Sequence, residues 1–125
     1  MTKYMMVALG GALGSVLRFW AGTFVSGRMG SRFPWGTLVI NITASFLIGV
    51  IMSVLAERAN WSANWRYLIP IGFIGGYSTF STFEWETLRV LQDGDLLFAA
   101  LNVVGSVVAG FVAVWLGTLT GKVIA

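Results

Sequence analysis

Residues 75–86 read GGYSTFSTFEWE, and they close a run that carries no charge from Tyr67 to Phe83. Two glycines, four Ser/Thr hydroxyls and two carboxylates in such surroundings are groups that could handle an ion. Gly72, Gly75 and Gly76 weaken helix propagation. Ser78, Thr79, Ser81 and Thr82 can cap the backbone groups that a break sets free. A broken helix in an apolar setting offers carbonyl oxygens to a cation or N–H groups to an anion. Beyond the break, Phe80 and Phe83 lie three apart on one helical face, while Thr79, Thr82 and Glu86 share another. A Phe pair at that spacing also serves ordinary packing, so both readings stand.

Other polar residues recur at helical spacing. Thr37, Asn41, Ser45, Gly49 and Ser53 fall every four residues in a segment otherwise built from Leu, Val, Ile and Phe. Each hydroxyl could simply bond the carbonyl one turn back. The Asn41 amide needs partners that apolar surroundings do not give. Asn102 heads a similar row with Ser106 and Gly110, so two amides could donate N–H to an anion. Arg18 aligns with Gly10, Gly14 and Gly22. It lies about 21 Å along a helix from Tyr4 at roughly 1.5 Å per residue. It therefore either snorkels to the far interface or faces an anion vestibule. The chain has no cysteine and no histidine, which excludes disulfides, thiol nucleophiles, Cys/His zinc sites and imidazole chemistry. No covalent chemistry is indicated, and the chain reads as a non-enzyme.

The elements that must carry these residues are membrane helices. Of 125 residues 57% are hydrophobic and 10% charged, against about 25% charged in a soluble domain. Four apolar spans, about 4–25, 35–56, 65–88 and 96–121, each approach the roughly 20 residues that cross a bilayer. The first could imitate a secretion signal, but three more spans follow it. Trp20, Trp35, Trp61 and Trp65 fall near span ends, where indoles favour the headgroup region. The net charge of +3 forms no basic stripe, which excludes a nucleic-acid partner. The expected fold is a single all-α membrane domain with a third helix broken at mid-membrane. Small-residue rows let helices approach closely, either within one subunit or between two. Lys3, Arg58, Arg66 and Lys122 on one side balance Arg28, Arg32 and Arg89 on the other. That weak bias predicts insertion both ways and an antiparallel, dual-topology homodimer.

With these residues in place, the chain resembles the Fluc (CrcB) fluoride channels over nearly its whole length. The resemblance rests on four spans in so small a chain, the Gly-rich first span with Arg18, and the segment WGTLVIN at 35–41. Its most specific part is the run from Gly75 to Phe83. It implies an antiparallel homodimer in the bacterial inner membrane, with two fluoride pathways and one central structural sodium ion. On this chain, the carbonyls of Gly75 and Ser78 from both subunits would hold sodium. Phe80 and Phe83 would line the fluoride path, Asn41, Thr82, Asn102 and Ser106 would add polar contacts, and Glu86 would stand beyond. Ser78 replaces the usual threonine, which matters little if a backbone carbonyl is the ligand. Glu84 replaces a common small residue, so it either faces away or marks a different vestibule.

The chemistry agrees with that reading. Fluoride is small and strongly hydrated, so removing its water requires many close donors, and aromatic edges carry partial positive charge. Conduction also needs binding weak enough to release the ion, and no lysine lies within the spans. The rival is a small dual-topology, proton-coupled exporter of toxic cations, which needs an ionisable residue deep in the bundle. Glu84 and Glu86 come late in the third span for that purpose.

Overall fold

The computed structural model describes residues 1–58 and 60–125. Helix α1 covers Thr2–Met29 and stops at Gly30, whose φ of 89° suits glycine and whose N–H bonds the Ser26 carbonyl. Helix α2 covers Trp35–Glu57, entered through Pro34. Helix α3, residues 63–77, runs without a gap through Ala63–Arg66, Tyr67–Ile74 and Gly75–Tyr77. Its middle part widens into π turns around Pro70. Proline has no N–H to donate and its ring crowds the preceding turn, so widening relieves the clash. Helix α4 covers Phe80–Gln92. After a turn at Gly94, whose φ is 85°, helix α5 covers Leu96–Ile124.

Close approach of backbones holds the helices together. Helix α1 lies along α3, and α2 lies along α5. A methyl on Gly10 would strike the Leu68 carbonyl, and one on Gly72 would strike that of Val7. In the other seam, a methyl on Gly49 would strike the Val114 carbonyl, and one on Gly117 that of Phe46. Helices of a membrane protein associate through such contacts, because lipid gives no hydrophobic drive between them. The alternatives left open for the small-residue rows thus resolve unequally. Gly10 and Gly14 are buried inside the subunit against α3, whereas a methyl on Gly110 would meet only the Ser45 hydroxyl of α2, at an ordinary 3.5 Å.

Ile40, Ala44, Ile74 and Tyr77 form a small central core. Outside it, large apolar side chains such as Val16, Phe19, Val104 and Phe111 are exposed. Among the described residues, Thr2–Met29, Trp35–Glu57 and Leu96–Ile124 are each long and apolar enough to span a bilayer. The third apolar run differs from them because it is divided between α3 and α4. An apolar exterior of this extent on three such helices belongs to a multi-pass membrane protein.

Candidate functional site

Between α3 and α4 the chain leaves the helix for two residues. Ser78 has φ −79° and ψ 157°, and Thr79 has φ −151° and ψ 122°. Such a step strips several backbone groups of helical partners, and side chains from other positions take them up. Asn41 on α2 donates from Nδ2 to the Thr79 carbonyl (3.0 Å) and accepts the Thr79 N–H on Oδ1 (2.9 Å). One amide side chain thereby satisfies both polar groups of one peptide residue. The Thr79 hydroxyl accepts the Thr82 N–H at 3.3 Å and donates to the Thr82 hydroxyl at 3.1 Å. Arg18 donates from Nε to the Gly76 carbonyl at 3.2 Å, tying α1 to the same step.

This capping releases two carbonyls. In an unbroken helix Gly75 would accept from the Thr79 N–H and Ser78 from the Thr82 N–H. Both N–H groups are instead bound to side-chain oxygens. The Ser78 side chain leaves its own carbonyl alone, because its hydroxyl donates to the Ile74 carbonyl at 3.1 Å. Gly75 is exposed and Ser78 half-buried, so the freed oxygens lie near the surface of the single chain.

Next to the step is an open cleft of about 260 Å³. Asn41 and Ser45 of α2, Phe80 and Phe83 of α4, and Ser106 of α5 line it. It holds hydroxyls, an amide and two phenyl rings, and no formal charge. Phe80 is 74% exposed while Phe83 is 6% exposed, and their rings meet at 5.9 Å between centroids with a 48° tilt. The pair is therefore half packing and half open surface. A second cleft, of about 560 Å³, lies by the other half of α4, with Glu86, Arg89 and Arg32 in its wall. Glu86 accepts the Thr37 hydroxyl at 2.8 Å.

A chain of hydrogen bonds starts and ends on residues that line the uncharged cleft. Ser106 donates to Asn102 Oδ1 at 3.3 Å, Asn102 Nδ2 donates to the Thr87 hydroxyl at 2.8 Å, and Thr87 donates to the Phe83 carbonyl at 2.7 Å. Asn102 is 1% exposed. A buried amide without such partners would be costly, and here both of its ends are met.

The structure thus gathers Asn41, Ser78, Phe80, Phe83 and Ser106 around one cleft, with Gly75 and Thr82 at the adjoining step. Asn102 stands one turn behind Ser106, Glu86 faces the charged cleft, and Arg18 grips the step from α1. Glu84 is exposed. Sequence reasoning missed Thr87, and it missed Tyr77, whose hydroxyl pairs with Thr43 at 2.8 Å. The signal for Thr87 was available: it lies four residues after Phe83, where a threonine bonds the carbonyl one turn back.

The matches to known proteins cover the same elements. A family model described as CrcB-like protein, Camphor Resistance (CrcB), matches residues 5–118. The chain is 50% identical over 120 residues to the fluoride-specific ion channel FluC of Acidobacterium capsulatum, covering 96% of both chains. It is 45% identical to the protein of that name from Solibacter usitatus, over 96% of this chain and 98% of the relative. With FluC of Citrifermentans bemidjiense it shares 43% identity across 98% of each. Helices α2, α3 and α4, most of α1 and α5, and both clefts fall within the matched residues, and the chain belongs to the CrcB family.

Proposed function

We propose that this protein is a fluoride-specific ion channel that lets fluoride leave the bacterial cell passively across the inner membrane, and so protects it. The observation that carries this reading is the uncharged cleft in which the exposed Phe80 ring stands beside Asn41 and Ser106. Partial positive charge on ring edges and neutral N–H and O–H donors can replace part of the ion's water. Without a fixed cation in the cleft, the ion is not trapped. Asn41 keeps one N–H beyond the hydrogen bond it makes to Thr79, because an amide nitrogen has two.

The working form in this reading is an antiparallel homodimer of copies inserted both ways, with the α3–α4 step at mid-membrane. Its support is the balanced charge count and the surface position of Phe80, Gly75 and Ser78. A sodium ion at the dimer axis fits the same step. A hard cation takes oxygen ligands, and the capping pattern frees the Gly75 and Ser78 carbonyls of their helical donors. Bound there, the ion would supply a fixed positive charge that joins two backbones. Asn41 and the Thr79 hydroxyl hold those carbonyls in position.

Purified protein in liposomes tests the function: fluoride should leave rapidly on addition of a potassium ionophore and chloride should not. Equal release of both ions, or of neither from well-folded protein, would refute it. For topology, single cysteines at Ser26 and Ser62 probed from outside the cell should each label in about half the copies. A proton-coupled exporter has less support, since the polar cleft holds no carboxylate, Glu84 is exposed and Glu86 is bound by Thr37.

A further inference from the structure

At the end of the bundle where α1 stops and α2 and α5 begin, a groove of about 460 Å³ opens on the outer surface. Its floor is aromatic and aliphatic: Phe33, Trp35 and Phe98 near the helix ends, then Leu38 and Leu101 about one turn further in. The three rings brace each other, Phe33 meeting Trp35 at 4.7 Å and Phe98 edge-on at 5.6 Å. Arg32 stands over this cluster, its guanidinium 5.4 Å from the Phe98 ring centre. Its side chain is 85% exposed, and among the described residues its one ionic contact runs from Nε to Asp95 at 3.8 Å. Because that contact is made by Nε, the two terminal nitrogens of the exposed guanidinium remain as a bidentate fork for an anion.

We propose that this groove holds one anionic phospholipid of the surrounding bilayer, with its phosphate on Arg32 and an acyl chain along Leu38 and Leu101. Three features favour a lipid over a second copy of the chain. The groove lies at a helix end, where the headgroup region meets the hydrocarbon and where indoles such as Trp35 are favoured. Its polar end is an exposed cation and its inner end is aliphatic, which is the order of groups in a lipid. A protein surface laid over it would bury an arginine whose carboxylate partner, Asp95, lies at 3.8 Å, and such burial is costly. A phosphate meets the charge with water still near. Nothing in this inference depends on which ion the protein conducts.

Lipid retention tests it. Purified protein is incubated with phosphatidylglycerol and phosphatidylcholine of matched chains, and the bound lipid is weighed by native mass spectrometry. One membrane-facing arginine predicts a preference for phosphatidylglycerol of about fivefold. Arg32→Gln should abolish the preference and leave weak, equal retention. Leu101→Trp should fill the inner groove and reduce both lipids. Asp95→Asn keeps a capping group for α5 and removes the competing carboxylate, so the preference should rise. An unchanged preference in Arg32→Gln would overturn the proposal. So would a loss of dimer in Leu101→Trp with lipid retention intact, which would make the groove a contact between copies.

Discussion

Gly72 and Gly76 differ from Gly75 in what lies against them. The first two face α1: a methyl on Gly72 would come within 2.8 Å of the Val7 carbonyl, and one on Gly76 within 2.7 Å of that of Gly11. Gly75, between them, has only the Pro70 carbonyl nearby, at an ordinary 3.9 Å. The same contrast extends along both regions. The α1–α3 seam is closed by backbone contact, whereas the flank with Gly75, Ser78 and Phe80 is open, with polar groups and a ring at its surface. Glycine in the seam is required by the chain itself. Glycine at 75 is not, so a requirement there would come from something outside the single chain.

The largest effect should separate these two roles. Gly10→Val drives a side chain into the Leu68 carbonyl and the Phe73 N–H, and should leave little folded protein on gel filtration. Gly75→Val meets no such obstacle and should fold as a subunit, yet lose dimer and fluoride flux. If Gly75→Val were as poorly folded as Gly10→Val, the distinction between seam and flank would fail.

Next comes the peg that joins the regions. Asn41→Leu leaves the N–H and carbonyl of Thr79 without their partner. Each unmet group costs about 1–3 kcal/mol, so chemical denaturation in detergent should show a loss of that order, together with loss of flux. Wild-type stability in this variant would mean that water or the backbone replaces the amide freely.

Phe80 and Phe83 then test the comparison within one pair. Phe83 is buried, and Phe83→Ile should lower stability by roughly 1–2 kcal/mol through misfit. Phe80→Ile, on exposed surface, should change stability by less than about 0.5 kcal/mol. Both should block fluoride efflux from liposomes when normalised to dimer, because an aliphatic group lacks the positive edge. Normal flux through both variants would return the pair to packing. The smallest effect belongs to Ser78→Thr, which keeps the hydroxyl that bonds the Ile74 carbonyl. Stability should shift by less than about 0.5 kcal/mol, with flux unchanged. A large loss would show that the hydroxyl has a role beyond that bond.

The site was partly legible because two of its residue types are costly in the wrong place. An amide such as Asn41 in an apolar helix must have a partner, and a row of Ser and Thr beside glycines marks backbone that needs capping. Thr87 was less legible. A threonine near a span end has an ordinary local bond available, and only packing of α4 on α5 brings the Asn102 amide to its hydroxyl. The position of Arg18 was likewise hidden, since its partner is a carbonyl on another helix.

By itself, the sequence determined that this is a membrane protein of long apolar helices with a polar stretch at 75–86. Hydropathy and composition act locally and need no knowledge of neighbours. Only the tertiary structure decided which glycines close a seam, and it alone turned Asn41 into a clamp on Thr79 and freed the Gly75 and Ser78 carbonyls. Hydrogen bonds reach about 3 Å, and residues 38 positions apart meet at that range only once α2 and the α3–α4 step are packed together.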